Sequence, residues 1–210
     1  MVPEGRLEVS LIPSSVLFKQ DLKLSLEEHG NGYKLYIEAY HFDDQDLAEA
    51  MQRCSFREWL MIIDERSFLE VPGTTSVVQW MRNNRCLVRS VKGQDMSPLY
   101  GNRRQYWGCH HSKAACLFDL NRGHAILWVG SCNFTRASEF NHEMMIRLEE
   151  HFPRLETGVH PYSQGRAAAG SAIRLFITMF EQLFKTANPV LSEDGLVAKA
   201  SAARSERASS

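Results

Sequence analysis

The sequence has no apolar run as long as a bilayer is thick, so no transmembrane anchor is expected. It has no CxxC pair. Its five cysteines, Cys54, Cys86, Cys109, Cys116 and Cys132, are odd in number and scattered, which is the usage of reduced thiols rather than of a disulfide framework. It has almost no net charge: −1 over 210 residues excludes the whole-chain basicity of a general polyanion binder. The opening residues, MVPEGRLEVSL, lack the basic start and apolar core of a secretory signal, and Glu4 and Glu8 are out of place in a mitochondrial transit peptide. Together these features set the expectation of a cytoplasmic protein. Cys109, His110 and His111 stand too close in sequence for tetrahedral chelation, so neither a metal nor another cofactor is expected. No internal repeat is visible, so any two-fold architecture must come from a second chain.

What is present is an ordinary globular composition, 44% apolar and 23% charged, in a chain long enough for one domain with a sizeable core. RLEVSLIP alternates like a strand. SSVLFKQDLKLSLEEH has helical spacing behind Ser14 or Ser15 as N-cap. GNGYKLYIEAYHF opens on a turn and runs on as a strand, and DDQDLAEAMQRC is a helix with capping aspartates. EWLMIID has the profile of a central strand buried on both faces. TTSVVQWMRNN reads as a helix capped by Thr74 or Thr75, and CLVRSV as the next strand. This alternation predicts an α/β fold: a mixed, largely parallel sheet with helices on both faces. KGQDMSPLYGNRRQYWG breaks the rhythm as a long loop of the kind that carries function. A hairpin follows, then a strand in EFNHEMMIRLEE and a closing helix in AAAGSAIRLFITMFEQLFKT. Residues 1–190 are expected to form one domain. Residues 191–210, small, polar and aperiodic, are expected to be a disordered tail.

The hairpin, GCHHSKAACLFDLNRGHAILWVGSCNFT, is two apolar strands with polar ends. Residues two apart in a strand share a face, so His111 and Lys113 point the same way, as do Ser131 and Asn133. If the strands pair, all four meet at one end of the sheet, where α/β folds place ligands. An imidazole, an ammonium and a carboxamide suit a phosphate: lysine supplies charge, asparagine a donor, and histidine can attack phosphorus or move a proton.

These residues resemble the signature of the phospholipase D superfamily, HxK(x)4D(x)6GSxN, in its single-motif branch of nuclease and mitochondrial cardiolipin hydrolase-like proteins. His111-Ser112-Lys113 supplies HxK, Gly130-Ser131-Cys132-Asn133 supplies GSxN, and Asn141-His142-Glu143 is similar to the trailing N-x-E. The likeness spans roughly residues 6 to 188. Two features depart from the pattern. The position of the family Asp falls on Phe118, with Asp119 one residue later, and one residue turns a strand side chain to the other face. The turn is also longer, through Asn121-Arg122-Gly123. The resemblance implies a metal-independent phosphodiesterase whose site combines two motifs. One histidine attacks phosphorus; the other protonates the leaving oxygen and then activates water. No other histidine here is followed by lysine two residues on, so the resemblance implies a homodimer with the site on its two-fold axis. His111 then takes either role, Lys113 and Asn133 hold phosphoryl oxygens, Glu143 orients the imidazole, and Ser131 stands behind them.

Substrate class rests on local charge. Between Trp80 and Ala125 stand Arg82, Arg85, Arg89, Lys92, Arg103, Arg104, Lys113 and Arg122, against Asp95 and Asp119. Arg103, Arg104 and Tyr106, beside Tyr100 and Trp107, suit a nucleic-acid backbone and its bases. A nuclease is therefore the first expectation and hydrolysis of a phospholipid such as cardiolipin the second. A degenerate, non-catalytic nucleic-acid-binding module is the third. A metal-dependent phosphodiesterase, inhibited by EDTA, is the competing enzyme class. Tyr40 and Phe42 follow a strand end and could line a cleft, with the core as the default expectation.

Overall fold

Strand and helix alternate through the first half of the chain, and each helix start has a local cause. In the computed structural model, which describes residues 6–93, 109–152 and 172–190, β1 (Arg6–Ile12) leads into α1 (Ser15–His29). The Ser14 hydroxyl accepts from Leu17 N at 3.3 Å and caps α1. β2 (Lys34–Ala39) is followed by α2 (Gln45–Gln52), capped by the Asp44 carboxylate on Leu47 N. β3 (Glu58–Asp64) runs directly into a short helix, α3 (Glu65–Glu70), and then α4 (Pro72–Asn83) and β4 (Leu87–Val91). The expected cap at Thr74 or Thr75 is corrected: α4 begins earlier, at Pro72, whose fixed φ and missing N–H suit a first helical position. Thr75 lies inside the helix and its hydroxyl donates to the Phe68 and Val71 carbonyls.

The second half is a meander: β5 (Ala114–Asp119), β6 (His124–Gly130), a 3₁₀ turn (Arg136–Phe140) and β7 (Met145–His151). The strand expected from Glu139 onward starts only at Met145, because Thr135 caps the 3₁₀ turn by accepting from Ser138 N. α5 (Ala172–Thr186) and the two-residue β8 (Asn188–Pro189) complete the described elements.

The sheet order is β1-β7-β6-β5-β2-β3-β4-β8. Only β2·β3 and β3·β4 are parallel; the other five pairings are antiparallel. The sheet is mixed as expected, but mostly antiparallel rather than largely parallel. A short turn makes β5 and β6 a hairpin, β7 returns beside β6 after the 3₁₀ turn, and β5 takes the side of β2 that β3 leaves open. β1 is thereby kept from β2 and docks antiparallel on β7, across the whole meander.

Both faces of the central strands are covered, which explains their unbroken apolar runs. Alternate residues of β2 show the split. Leu35 and Ile37 pack with Phe18, Leu22, Met51 and Met81 of the α1, α2 and α4 layer. Tyr36 packs instead with Phe118 and with Ile173, Ile177 and Phe180 of α5. Tyr36 stacks on Phe180 at 4.6 Å, and its hydroxyl donates to Glu58 at 2.7 Å and Glu181 at 3.1 Å.

Candidate active site

The hairpin forms in the register the polar ends require. Ala114 pairs with Val129, and Gly130 N donates to Lys113 O at 3.2 Å, so HxK and GSxN lie at the same end of adjacent strands. The C-terminal ends of the parallel strands β2 and β3 reach that end too, bringing Tyr40, His41 and Asp64.

Gly130 is where β6 leaves the sheet, and its glycine is obligatory. A Cβ there would stand 2.2 Å from Met144 O and 2.8 Å from Met145 Cα. Ser131 then ties β6 to β7: its N–H donates to Met144 O at 2.9 Å, and its hydroxyl accepts from Met144 N at 3.0 Å. Cys132 is fully buried and belongs to the core. The next turn is sewn to the end of β2, with Phe134 N donating to His41 O, and Asp43 and Asp44 N–H groups donating to Phe134 O. Phe134 lies flat on Phe42 at 5.3 Å. Behind it the buried Lys19 ammonium binds Asp44 at 2.6 Å, Glu139 at 2.9 Å and Thr135 O at 2.8 Å, joining α1, the α2 cap and the 3₁₀ turn. Asn133, between these fixed points, is half-buried, and its Oδ1 has no hydrogen-bond partner among the described residues.

His111 and Lys113 lie in the extended segment that leads into β5. The His111 ring is 4.8 Å from the Tyr40 ring, and Lys113 Nζ stands 5.3 Å from the same ring, a cation–π distance. Lys113 is 3% exposed, and its ammonium donates to His111 O at 2.9 Å, which fixes the backbone of the HxK turn. Partial burial pushes both groups toward their neutral forms, and Lys113 further lowers the imidazole, against the opposing pull of Asp64 and Glu143. Glu143 is half-buried and takes a hydrogen bond from Asn141 Nδ2 at 3.4 Å. Its carboxylate acts on His111 and Lys113 through charge.

Asp64 and His41, to which the sequence assigned no role, and Tyr40, expected in the core by default, hold this arrangement. The fully buried Asp64 uses one carboxylate oxygen to cap α3 at Ser67 N (2.8 Å) and the other to accept from His110 N at 2.7 Å. It thereby fastens the HxK segment to the end of β3. His41 Nδ1 is hydrogen-bonded to Ser67 Oγ, and its ring lies 4.0 Å from Tyr40. Tyr40 is half-exposed and forms the wall shared by His111 and Lys113, so it is a site residue rather than core; Phe42 is core as expected. Asp64 ends β3 and caps α3 with no intervening loop, so the only signal for it in the sequence is an acidic residue closing an apolar strand.

The remaining expectations separate. Asp119 lies at the far end of β5 from Lys113. It is 3% exposed, salt-bridged to Arg57 at 2.5 Å and Arg122 at 3.2 Å, and it caps its own turn through Asn121 and Arg122 N–H. Phe118 is buried against Tyr36. Asp119 is thus a fastening of the hairpin turn. Arg89 caps the C-terminus of α5, donating to Phe184 O at 2.7 Å and Lys185 O at 3.1 Å. Arg89 and Arg122 are therefore engaged away from the HxK end. Arg103, Arg104 and Tyr106, with Tyr100 and Trp107, lie outside the described residues, as does the 191–210 tail.

No protein-family model matches the chain, and no curated protein matches it. Solved structures do. NucT from Helicobacter pylori superposes with a TM-score of 0.62 at 16% identity, over 88% of this chain and 100% of that one. Nuc from Salmonella typhimurium, a phospholipase D family member, superposes with a TM-score of 0.56 at 16% identity, over 90% and 100%. The fold is that of phospholipase D family proteins, across nearly the whole chain. Among the described residues, no helix is long and apolar enough to cross a membrane.

Proposed function

We propose that the chain is a metal-independent phosphodiesterase working through a phosphohistidine, with one active site shared by two copies, and that its substrate is a nucleic acid. The observation that carries this reading is the convergence at one strand end. A part-exposed imidazole, favoured neutral, and a buried ammonium share the Tyr40 wall, beside the half-buried Asn133, whose carboxamide NH₂ can donate to a phosphoryl oxygen. Those are the groups needed to attack phosphorus and to hold its oxygens. His111 of one copy attacks phosphorus and the phosphorus–oxygen bond to the leaving group breaks. His111 of the other copy donates its proton to the leaving oxygen. That imidazole, now neutral, takes a proton from water as the water attacks the phosphohistidine, and both histidines return to their starting states. Lys113 and Asn133 stabilise the charge on the phosphoryl oxygens, Glu143 biases the imidazole by charge, and Ser131 holds the GSxN turn.

A second copy has a surface to use. Leu7, Val9 and Leu11 alternate along edge strand β1 and are 50%, 63% and 63% exposed. Leu11 pairs with Ile146 and Ile146 with Val129, each 38% exposed, one residue from Gly130. An apolar band thus runs from the sheet edge to the site, and exposed bands of this kind mark interfaces. Arg103, Arg104 and Tyr106 are proposed to bind the nucleic-acid backbone and bases, on the strength of their charge and aromatic character alone. Phospholipid is the second reading. It is favoured by Phe140, 90% exposed, and Met144, 50% exposed, which flank Glu143 and could enter a lipid surface.

The test offers labelled single-stranded DNA, single-stranded RNA, duplex DNA and anionic phospholipid vesicles to the protein in EDTA. Cleavage of a nucleic acid is expected. Cleavage of lipid alone would move the assignment to the second reading. Inactivity on every substrate, from a folded dimer, would favour a non-catalytic binding module.

A further inference from the structure

At the opposite end of β6 from the GSxN turn lies a second cluster of ligating side chains. His124 opens β6, Glu149 and His151 lie near the end of β7, and His29 ends α1. One donor atom each from His29, His124 and Glu149 lie mutually within 4.8 Å. The His124 ring is 4.8 Å from the His29 ring and stacks on the His151 ring at 4.5 Å. His124 Nε2 and Glu149 Oε1 are 2.7 Å apart, and His151 Nε2 is 3.7 Å from the same oxygen. We propose that His29, His124 and Glu149, with His151 as the adjacent fourth group, form a binding site for a divalent ion of the zinc class.

The donor set suits that ion. Two or three imidazole nitrogens and one carboxylate oxygen are borderline ligands, and tetrahedral bonds of about 2.0–2.1 Å place donors roughly 3.3 Å apart. Closing on an ion requires only that the His124–Glu149 contact open slightly while the His29 donor moves in. The surroundings support each ligand. The Tyr33 hydroxyl lies 3.1 Å from His124 Nδ1, which leaves Nε2 as the metal-facing nitrogen and orients the ring, as outer partners of ligating histidines do. Arg147 holds the other Glu149 oxygen at 2.7 Å and is itself tied to Asp21 at 3.2 Å, so Oε1, now bonded to His124, is the oxygen turned toward the histidines. The charged groups around the seat are Arg147, Glu28 and, over the Tyr33 ring at 5.3 Å, Arg122.

The site is structural rather than catalytic. His124 and Gly130 are the two ends of the seven-residue β6, about 20 Å apart, so the ion cannot reach a phosphate at His111. What it would do is clamp the end of α1 onto β6 and β7, three elements remote in sequence.

The 210-residue chain is stripped with EDTA, dialysed, and titrated with Zn²⁺ alone by calorimetry and by thermal melting. One ion per chain and a rise in Tm of at least about 3 °C are expected, since a ligand of the folded state stabilises it. His29→Ala, on the accessible last turn of α1, and Glu149→Gln should each weaken binding at least about tenfold and abolish the rise. Both should still melt cooperatively without zinc. Tyr33→Phe should weaken binding by about tenfold or more, and His111→Ala should bind zinc as wild type does. The absence of saturable binding, undiminished affinity in His29→Ala, or loss of binding in His111→Ala would each overturn the proposal. So would a site that takes Mg²⁺ in preference to Zn²⁺.

Discussion

The Lys113 ammonium is 3% exposed and spends one hydrogen bond on the carbonyl of His111, leaving two donors for a phosphate. Its charge also reaches the His111 ring, adding to partial burial in lowering the imidazole below its ordinary value near 6.5. The sign follows directly. A lowered imidazole stays neutral, and so nucleophilic, to lower pH, and the acid limb of kcat/KM should lie below pH 6.5. Lys113→Met removes the largest charge contribution to that lowering. The limb should move to higher pH while kcat falls by at least about 10²-fold, the loss typical of removing one transition-state donor. A pH–rate profile of the variant checks both; a limb that stays in place would mean that Lys113 does not act on the nucleophile. At this scale the sequence was informative wherever residues two apart share a strand face, as with His111 and Lys113. It was silent on His41 and placed Tyr40 in the core by default, because nothing in a chain shows that the end of β2 will meet the start of β5.

β6 and β7 approach so closely at Gly130 that no side chain fits between them, and the Ser131–Met144 hydrogen bonds depend on that approach. Gly130→Ala should therefore force the strands apart. We expect a loss of about 1–3 kcal/mol of stability from overpacking, with activity falling further than stability because Asn133 lies three residues on. Denaturant midpoints and turnover, measured together, check this. An Ala variant as stable and active as wild type would show that the strands are not held in this register. The helices and strands of the first half were legible from period and caps, as with Ser14 and Asp44. Two features of the elements were not. α3 escaped notice because Asp64 both ends a strand and caps a helix with no intervening loop. The parallel character of the sheet was overestimated because alternation of strand and helix says nothing about a later meander, which takes the place beside β2 and displaces β1 to the edge.

For the whole molecule, the apolar band on β1, β7 and β6 is where a second copy would lie if each site needs two HxK motifs. Val9→Glu with Leu11→Glu puts two charges on that band at positions that are 63% exposed, so the single-chain fold should survive. Sedimentation should show monomers, circular dichroism an unchanged fold, and turnover should fall by at least about 10³-fold, consistent with loss of half of a catalytic pair that acts as a unit. A fully active monomer would contradict the shared site. The expectation of a second copy came from the single HxK, but the surface that could serve it was not legible, since β1 alternates like any half-buried strand.

The most direct measurement is of the covalent intermediate itself. Wild type and His111→Ala are mixed with a cleavable substrate in EDTA, quenched in alkaline denaturant within one turnover, and digested for mass spectrometry. The account predicts a phosphoryl-linked adduct on the peptide carrying His111 in wild type and none in the variant. Turnover without any adduct, or turnover that requires a divalent ion at the site, would contradict it.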